Sequence, residues 1–330
     1  MSQQEDGRLP RKPRVVTLGE TMLRLSTHAR LDRADELDVH VAGSESNVAV
    51  ALAQLGWNAA WFSALPDTPT GRRVANDVAA CGVDVSRIRW VDGGRVGLFF
   101  VEFAEPPRST TVWYDRSNSA AAALEPDDLD VGILEGADYA VVSGITGGIG
   151  HGARALARRF AAEAARRGAK VCVDVNYRPR LWEQVEAAPA TADLIGAADI
   201  VVCSARDADR LWNIDGDPHD AVLHLREAYA ARADLVVLTI GGDGAIASLP
   251  DGSLVEQRAY PATVVDRIGA GDAFVAGLLW GLEARDVAEA LRAGALAAAL
   301  KCTMRGDHLL TTPQEFLQHL DDRRRQEVVR

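Results

Sequence analysis

The sequence predicts an α/β fold in which helices flank a doubly wound, mostly parallel β-sheet. Short apolar runs of the kind that form buried strands alternate with alanine- and arginine-rich segments of helical periodicity. Parallel sheets are built from such alternation, because each crossover helix returns the chain to the same edge. With 330 residues and 48% hydrophobic content, the chain can bury a large core as one domain with a small appendage.

The predicted elements follow one another in the order that such a sheet requires. The first strand is predicted at residues 14–19, and the helix after it at 47–55. Later strands are predicted at residues 60–63, 139–143, 170–174, 199–203 and 234–240. Ligands of open α/β sheets bind beyond the carboxyl ends of the strands, which is where Asp174, Ser204 and Gly241 fall.

Two segments interrupt this alternation, at about residues 21–42 and 93–118. Within the second, residues 96–103 and 109–114 are predicted to pair as a hairpin. Inserted strands of this kind predict a small sheet. We expect either a lid that keeps water from a reactive phosphoryl donor or an edge hairpin without a role. Residues 14–318 form the predicted domain, between a disordered leader at 1–13 and a polar tail at 319–330.

The net charge and the cysteines of the sequence indicate which binding partners and which cellular compartment to expect. The net charge of -11 excludes nucleic acids and anionic membranes as expected partners, since both require a basic surface. The amino-terminal segment lacks the features of a signal peptide, and no apolar run reaches membrane length, so a cytoplasmic location is predicted. Reduced thiols without metal-ligand spacing fit that location: Cys81, Cys172, Cys203 and Cys302.

The segment 263–274 combines glycines with a carboxylate at a predicted helix start. Unbonded amides and the helix dipole attract phosphate there, and Gly269 and Gly271 leave room for it. Asp272 would repel that phosphate, unless it accepts a proton from a hydroxyl that attacks the phosphorus. The alternative is that Asp272 only caps the helix. The first interpretation predicts phosphoryl transfer to an alcohol.

This segment resembles the C-terminal signature of the PfkB (ribokinase-like) family of carbohydrate kinases. Residues 43–47 resemble the N-terminal signature of the same family. The resemblance covers residues 14–318 and implies a ribokinase-like kinase domain. Asp272 would be the base, and the amides of Gly269, Ala270 and Gly271 would form the anion hole. Gly43 and Asn47 would contact sugar hydroxyls. Ser44 or Ser46 can also cap the helix that begins here, and such a cap does not exclude contact with the sugar.

Two further segments resemble the substrate-binding segments of 2-keto-3-deoxygluconate kinases. They are residues 113–120, with Arg116, and residues 174–182, with Arg178. Two arginines can hold a carboxylate in bidentate fashion, which lysine does less well, although either arginine alone is more often a surface residue. The resemblance also implies a substrate pocket that includes Phe100, Tyr114, Ile145 and Asp307.

The glycine-rich segment 238–244 resembles the family segment beside the ATP phosphates, and a plain β-turn is the alternative. The implied nucleotide-binding residues are Ser204, Thr239, Gly241, Gly242, Gly244, Gly269 and Gly271. Mg²⁺ is implied too, but Ser204 and Asp207 stand where the family has asparagine and glutamate. Asp207 and Asp266 are therefore the candidate metal ligands, and a monovalent cation is a further candidate. The alanine-rich helix predicted at 288–302 would lie beside the adenine.

The predicted function is ATP-dependent phosphorylation of a sugar-acid hydroxyl. The expected substrate is 2-keto-3-deoxygluconate, which would be converted to its 6-phosphate. The protein is expected to be a homo-oligomer (dimer or higher). Alternative substrates within the family are 5-dehydro-2-deoxygluconate, fructose and ribose. More distant alternatives are an NAD-dependent dehydrogenase, suggested by the glycine-rich segment 144–150, and a non-catalytic sugar-binding protein. The sequence contains no Gly-x-x-x-x-Gly-Lys-Ser/Thr motif, which excludes P-loop kinases.

Overall fold

The computed structural model describes residues 11–284 and 286–322, and its elements alternate as the sequence predicts. The strands are β1 (Arg14–Leu18), β2 (Met22–Thr27), β3 (Asp38–Ala42), β4 (Asn58–Phe62), β5 (Ala64–Pro66), β6 (Arg89–Val91), β7 (Leu98–Glu102), β8 (Thr111–Asp115), β9 (Tyr139–Ser143), β10 (Lys170–Asp174), β11 (Ile200–Ser204), β12 (Leu235–Thr239), β13 (Ala245–Ser248) and β14 (Leu254–Gln257). The α-helices are α1 (Ser44–Gln54), α2 (Pro69–Ala80), α3 (Gly144–Gly148), α4 (His151–Arg166), α5 (Gln184–Ile195), α6 (Ala205–Trp212), α7 (Pro218–Tyr229), α8 (Ala270–Ala284), α9 (Val287–Cys302) and α10 (Pro313–Asp322).

An eight-stranded sheet forms the centre of the molecule, in the order β14-β13-β12-β11-β10-β9-β1-β4. The six strands from β12 to β4 are parallel, and β13 and β14 extend one edge as antiparallel strands. Both faces are buried, because Val15 and Val16 of β1 pack into different hydrophobic cores. Continuous apolar strands are what a sheet covered on both faces requires. The predicted doubly wound, mostly parallel sheet is confirmed.

Helices cover the two faces and bring α8 to the centre of one of them. On that face α8 packs between α1 and α9, and on the other α4, α5, α6 and α7 cover the sheet. The contact between α8 and α9 depends on Gly277, where a Cβ atom would lie 2.5 Å from the carbonyl oxygen of Ala293. This close approach positions α8 against α9, and the first turn of α8 carries Gly271 and Asp272.

A separate four-stranded sheet has the order β3-β2-β7-β8. The predicted hairpin is confirmed as β7 and β8, which pair antiparallel with Phe99 opposite Tyr114. Strand β2 pairs with β7 in parallel, so chain segments far apart in sequence form one small sheet. Its role as a lid stays a prediction.

The described ends of the domain differ slightly from the predicted limits. Strand β1 begins at Arg14, as predicted, but α10 continues beyond residue 318 to Asp322. The reason is that Phe316 and Leu320, one helical turn apart, are both fully buried against the core. Most of the predicted leader (1–10) and of the predicted tail (323–330) lies outside the described residues. Among the described helices, none combines the length and apolar character needed to cross a membrane.

Candidate active site

A cavity of about 690 Å³ opens between the main sheet and the small sheet. It lies at the carboxyl ends of β10, β11 and β12, whose last residues Asp174, Ser204 and Thr239 line it. This is the expected position for a ligand in an open α/β sheet. The cavity brings together most of the predicted site residues: Gly43, Asn47, Tyr114, Arg116, Ile145, Arg178, Ser204, Asp207, Thr239, Gly241, Gly269, Gly271, Asp272 and Asp307.

Five predicted site residues do not line this cavity: Phe100, Gly242, Gly244, Ala270 and Asp266. Phe99 takes the place predicted for Phe100, because successive side chains of β7 point to opposite faces of the small sheet. Gly244 has a φ of +115°, and a Cβ atom there would lie 2.0 Å from the carbonyl oxygen of Gln257. Glycine is therefore required there by the turn itself.

Asp272 lies in the first turn of α8 and is 8% exposed. The Ser44 hydroxyl donates a hydrogen bond to its Oδ1 at 2.7 Å, and the Asn47 amide donates one to its Oδ2 at 2.7 Å. Burial raises the pKa of Asp272, while these two hydrogen bonds oppose the rise. The carboxylate is thus held in one orientation at the wall of the cavity, where it can accept a proton.

Only part of the glycine segment has the free backbone amides that the predicted anion hole requires. The Ala270 amide donates to the carbonyl of Arg267 at 3.3 Å, so it is engaged within the protein. Within residues 11–284 and 286–322, the amides of Gly271 and Asp272 have no such acceptor. Gly269 has a φ of +88°, and a Cβ atom there would lie 2.2 Å from the carbonyl oxygen of Asp307. Two free amides at a helix N-terminus are suited to bind a phosphoryl oxygen.

The two predicted carboxylate-binding arginines differ in their surroundings. Arg116 is buried and donates through Nε and Nη2 to one oxygen of Glu20, with a distance of 2.8 Å from Nε. Arg178 is exposed to the cavity, and its guanidinium has no ion pair or hydrogen bond with the described residues. Of the two predicted arginines, Arg178 is therefore the one that is available to an acidic ligand.

Two further carboxylates, Asp174 and Asp207, face the cavity. Burial and the nearby charges of Asp272 and Asp207 raise the pKa of Asp174 to about 8, and burial raises the pKa of Asp207. The positive charge of Arg178 opposes both shifts. A cluster of carboxylate oxygens that repel one another suits a hard divalent cation such as Mg²⁺.

Asp266 does not belong to this cluster. Arg24, which is 1% exposed, donates from Nη2 to Asp266 at 2.6 Å and from Nη1 to Asp307 at 2.7 Å. Lys301 is fully buried and donates from Nζ to the carbonyls of Asp266 at 3.0 Å and Met304 at 3.2 Å. Asp266 is therefore bound within a charge cluster below the cavity floor. The predicted role of Asp266 as a metal ligand does not fit this arrangement, because Arg24 of β2 already binds its carboxylate.

Comparison with known proteins identifies the family to which this site belongs. Residues 12–314 match the family described as pfkB family carbohydrate kinase. The chain belongs to this family. The predicted resemblance, the ribokinase-like fold and the carbohydrate kinase activity are all confirmed by this match and by the solved structures that the kinase resembles.

The similar proteins and solved structures align with nearly the whole length of the kinase. A 2-dehydro-3-deoxygalactonokinase of Haloferax volcanii is 40% identical over 91% of this chain and 94% of that protein. A 2-dehydro-3-deoxygluconokinase of Thermoproteus tenax is 32% identical over 91% and 92%, respectively. The crystal structure of 2-dehydro-3-deoxygluconokinase from Thermotoga maritima is 29% identical, covers 94% of this chain and 99% of that one, and has a TM-score of 0.87.

Family membership shows that the two distant alternatives are wrong. The kinase is neither a dehydrogenase nor a non-catalytic sugar-binding protein. The glycine-rich segment 144–150, which suggested a dinucleotide site, contains the short helix α3. A Cβ atom at Gly148 would lie 2.8 Å from Leu181 and 2.9 Å from Trp182, so its glycine permits close packing.

Several residues of the kinase site were not predicted. Ser44 was considered only as a helix cap, and Glu20 was not considered, although it pairs with Arg116. Arg206 and Arg210 of α6 also line the cavity. Their spacing of four residues on a helix that follows a strand end was a usable signal. Glu20 offered no comparable signal, because it is 96 residues from its partner.

Proposed function

We propose that this kinase transfers the terminal phosphoryl group of ATP to a 2-keto-3-deoxy sugar acid. The substrate is 2-keto-3-deoxygluconate and the product its 6-phosphate. One observation carries this proposal: the unpaired guanidinium of Arg178 and the oriented carboxylate of Asp272 line the same cavity. The reaction needs a positively charged side chain at one end of the acceptor to bind its carboxylate. At the other end it needs a base that receives the hydroxyl proton.

The sugar acid lies between the small sheet and the start of α8. Arg178 binds its carboxylate, and Arg116, held by Glu20, forms part of the wall together with Phe99, Tyr114 and Ile145. Gly43 and Asn47 contact the hydroxyls near the reacting end, next to Asp272. This arrangement supplies most of the rate by positioning, as is general for phosphoryl transfer.

ATP enters along the carboxyl ends of β11 and β12, where Ser204, Thr239 and Gly241 line the cavity. Its terminal phosphate approaches the free amides of Gly271 and Asp272, which stabilise the charge on the transferred group. Exposed Gly242 lies beside Gly241 on the same turn and stays a predicted nucleotide contact. Asp207 and Asp174 would hold Mg²⁺, which would supply positive charge to offset the charge of the phosphate oxygens.

A coupled ADP-release assay tests this proposal directly. The purified kinase is given ATP and one acceptor at a time: 2-keto-3-deoxygluconate, 2-keto-3-deoxygalactonate, 5-dehydro-2-deoxygluconate, fructose or ribose. We expect the two 2-keto-3-deoxy acids to give the highest kcat/KM. The galactonate is a second candidate because a relative with 40% identity carries that name. A higher kcat/KM for fructose or ribose would refute the assignment to sugar acids.

A further inference from the structure

Three potential metal ligands lie together outside the cavity described above. Asp77 lies in the last turn of α2 and Cys81 directly follows that helix, so the two side chains are one helical turn apart. His308 comes from the segment after α9. The nearest ligand atoms of the three residues all lie within 4.8 Å of one another. The sequence could not indicate this group, because Cys81 and His308 are 227 residues apart.

The separations within this group are at or beyond the limit for direct hydrogen bonds, and they suit a shared ion. Cys81 Sγ and His308 Nδ1 are 4.0 Å apart, and His308 Nδ1 and Asp77 Oδ1 are 3.7 Å apart. A nitrogen-to-oxygen distance of 3.7 Å is beyond a normal hydrogen bond. Sulfur and nitrogen ligands on one tetrahedral Zn²⁺ are separated by about 3.5 Å, given Zn–S and Zn–N bonds of about 2.3 and 2.0 Å. The two measured separations, 4.0 Å and 3.7 Å, exceed the spacing of ligands on one zinc ion by only about half an ångström.

The environment of His308 also indicates a missing partner. The residue is 9% exposed, and its Nε2 has no hydrogen-bond partner among the described residues. Its Nδ1 faces only the two distant atoms of Asp77 and Cys81. A buried imidazole normally satisfies its polar atoms. A cation bound at Nδ1 would give that nitrogen a close partner, and Nε2 would then carry the hydrogen of the neutral ring.

We propose that Asp77, Cys81 and His308 bind one Zn²⁺ ion. A carboxylate and a thiolate together balance its charge, and the thiolate favours zinc over Mg²⁺ or Ca²⁺. The Asp77 side chain is 43% exposed, so a water molecule can reach the fourth position. The ion would tie α2 to the segment that carries Asp307, which lines the cavity next to His308 in sequence. The site is thus a structural clamp beside the active site and distinct from the magnesium ligands.

Cobalt(II) is the probe that tests this site, because it replaces zinc and gives a thiolate-to-metal charge-transfer band. The full-length protein is stripped with EDTA, dialysed and titrated with CoCl₂. We expect the band to saturate at one equivalent and to disappear on addition of zinc. Asp174 and Asp207 also attract divalent cations, but they have no sulfur atom. The charge-transfer band therefore reports only cobalt that is bound to a cysteine thiolate.

Three variants assign the band to its ligands. Cys302→Ala is the matched control, since Cys302 is also half-buried, and it should retain the band. Cys81→Ala should lose it, and His308→Gln should weaken cobalt binding by more than about tenfold. Thermal unfolding of each metal-free variant confirms that it is folded. An unchanged band in Cys81→Ala would overturn the proposal. So would wild-type protein that gives no band and retains less than one zinc per ten chains after zinc addition.

Discussion

The side-chain amide of Asn47 donates a hydrogen bond to Oδ2 of Asp272 across 2.7 Å and links α1 to the start of α8. The same two helices share one hydrophobic core, so the hydrogen bond joins elements that are already fixed. Ser44, one turn earlier on α1, holds the other oxygen of Asp272, and Asn176 donates to the Ser44 hydroxyl at 2.9 Å. The carboxylate of Asp272 is therefore oriented by donors from two parts of the sequence, α1 and the segment after β10.

Replacement of Asp272 by asparagine should lower kcat by about 10²- to 10⁴-fold, because the amide cannot accept the hydroxyl proton. The change preserves shape, so calorimetric affinity for ATP should change less than about threefold. Asp251→Asn makes the same substitution in an exposed turn and should leave both quantities unchanged. If Asp272→Asn retains wild-type kcat in the ADP-release assay, the base is another residue.

Ser44→Ala should shift the acid limb of the kcat/KM profile to higher pH. The Ser44 hydrogen bond lowers the pKa of Asp272, against the upward effect of burial, so its loss raises that pKa. A base works in its deprotonated form, and more alkaline solution is then needed to ionise it. One hydrogen bond to a charged group corresponds to about one pH unit. Ser44→Thr keeps the hydroxyl and should restore the limb, whereas an unshifted limb in Ser44→Ala would contradict the role of Ser44.

The sequence alone predicted the features of the fold that depend on local pattern. Residues 139–143 and 170–174 were predicted as strands with the limits that β9 and β10 have, because strands buried on both faces are continuous apolar runs. The glycine segment before Asp272 was recognisable because an anion site at a helix N-terminus is encoded by consecutive residues.

What the sequence could not provide was the pairing of distant residues. The family resemblance implied Phe100, whereas Phe99 lines the cavity. Which of the two side chains faces the cavity depends on the register of β7 with β8, because a shift of one residue reverses the faces. Asp266 was predicted as a metal ligand because the sequence did not reveal that Arg24, 242 residues away, is its partner. Charge neutralisation inside the fold is a tertiary property, so no local motif predicts it.

Arg178→Ala should raise KM for 2-keto-3-deoxygluconate by about 100-fold, the effect of losing a charge-assisted contact with a carboxylate. KM for fructose should change little, since fructose has no carboxylate. The assay is run at pH 8, because Arg178 also lowers the pKa of Asp272 and its loss would otherwise reduce kcat. Arg232→Ala, an exposed arginine outside the cavity, is the matched control. An equal rise in KM for both sugars would exclude carboxylate binding by Arg178.

Lys301→Met should reduce the free energy of unfolding by about 3–5 kcal/mol. The ammonium of Lys301 and the guanidinium of Arg24 balance the carboxylates of Asp266 and Asp307, and all four groups are buried. Methionine would leave one negative charge uncompensated and two carbonyl groups without their donor. Urea unfolding measures the change, and Lys170→Met, at an exposed lysine, should cost less than about 0.5 kcal/mol. A similarly small cost for Lys301→Met would mean that the carboxylates are balanced without the lysine. The cluster supports the segment that carries Gly269, so the same substitution should also impair the anion hole and lower kcat.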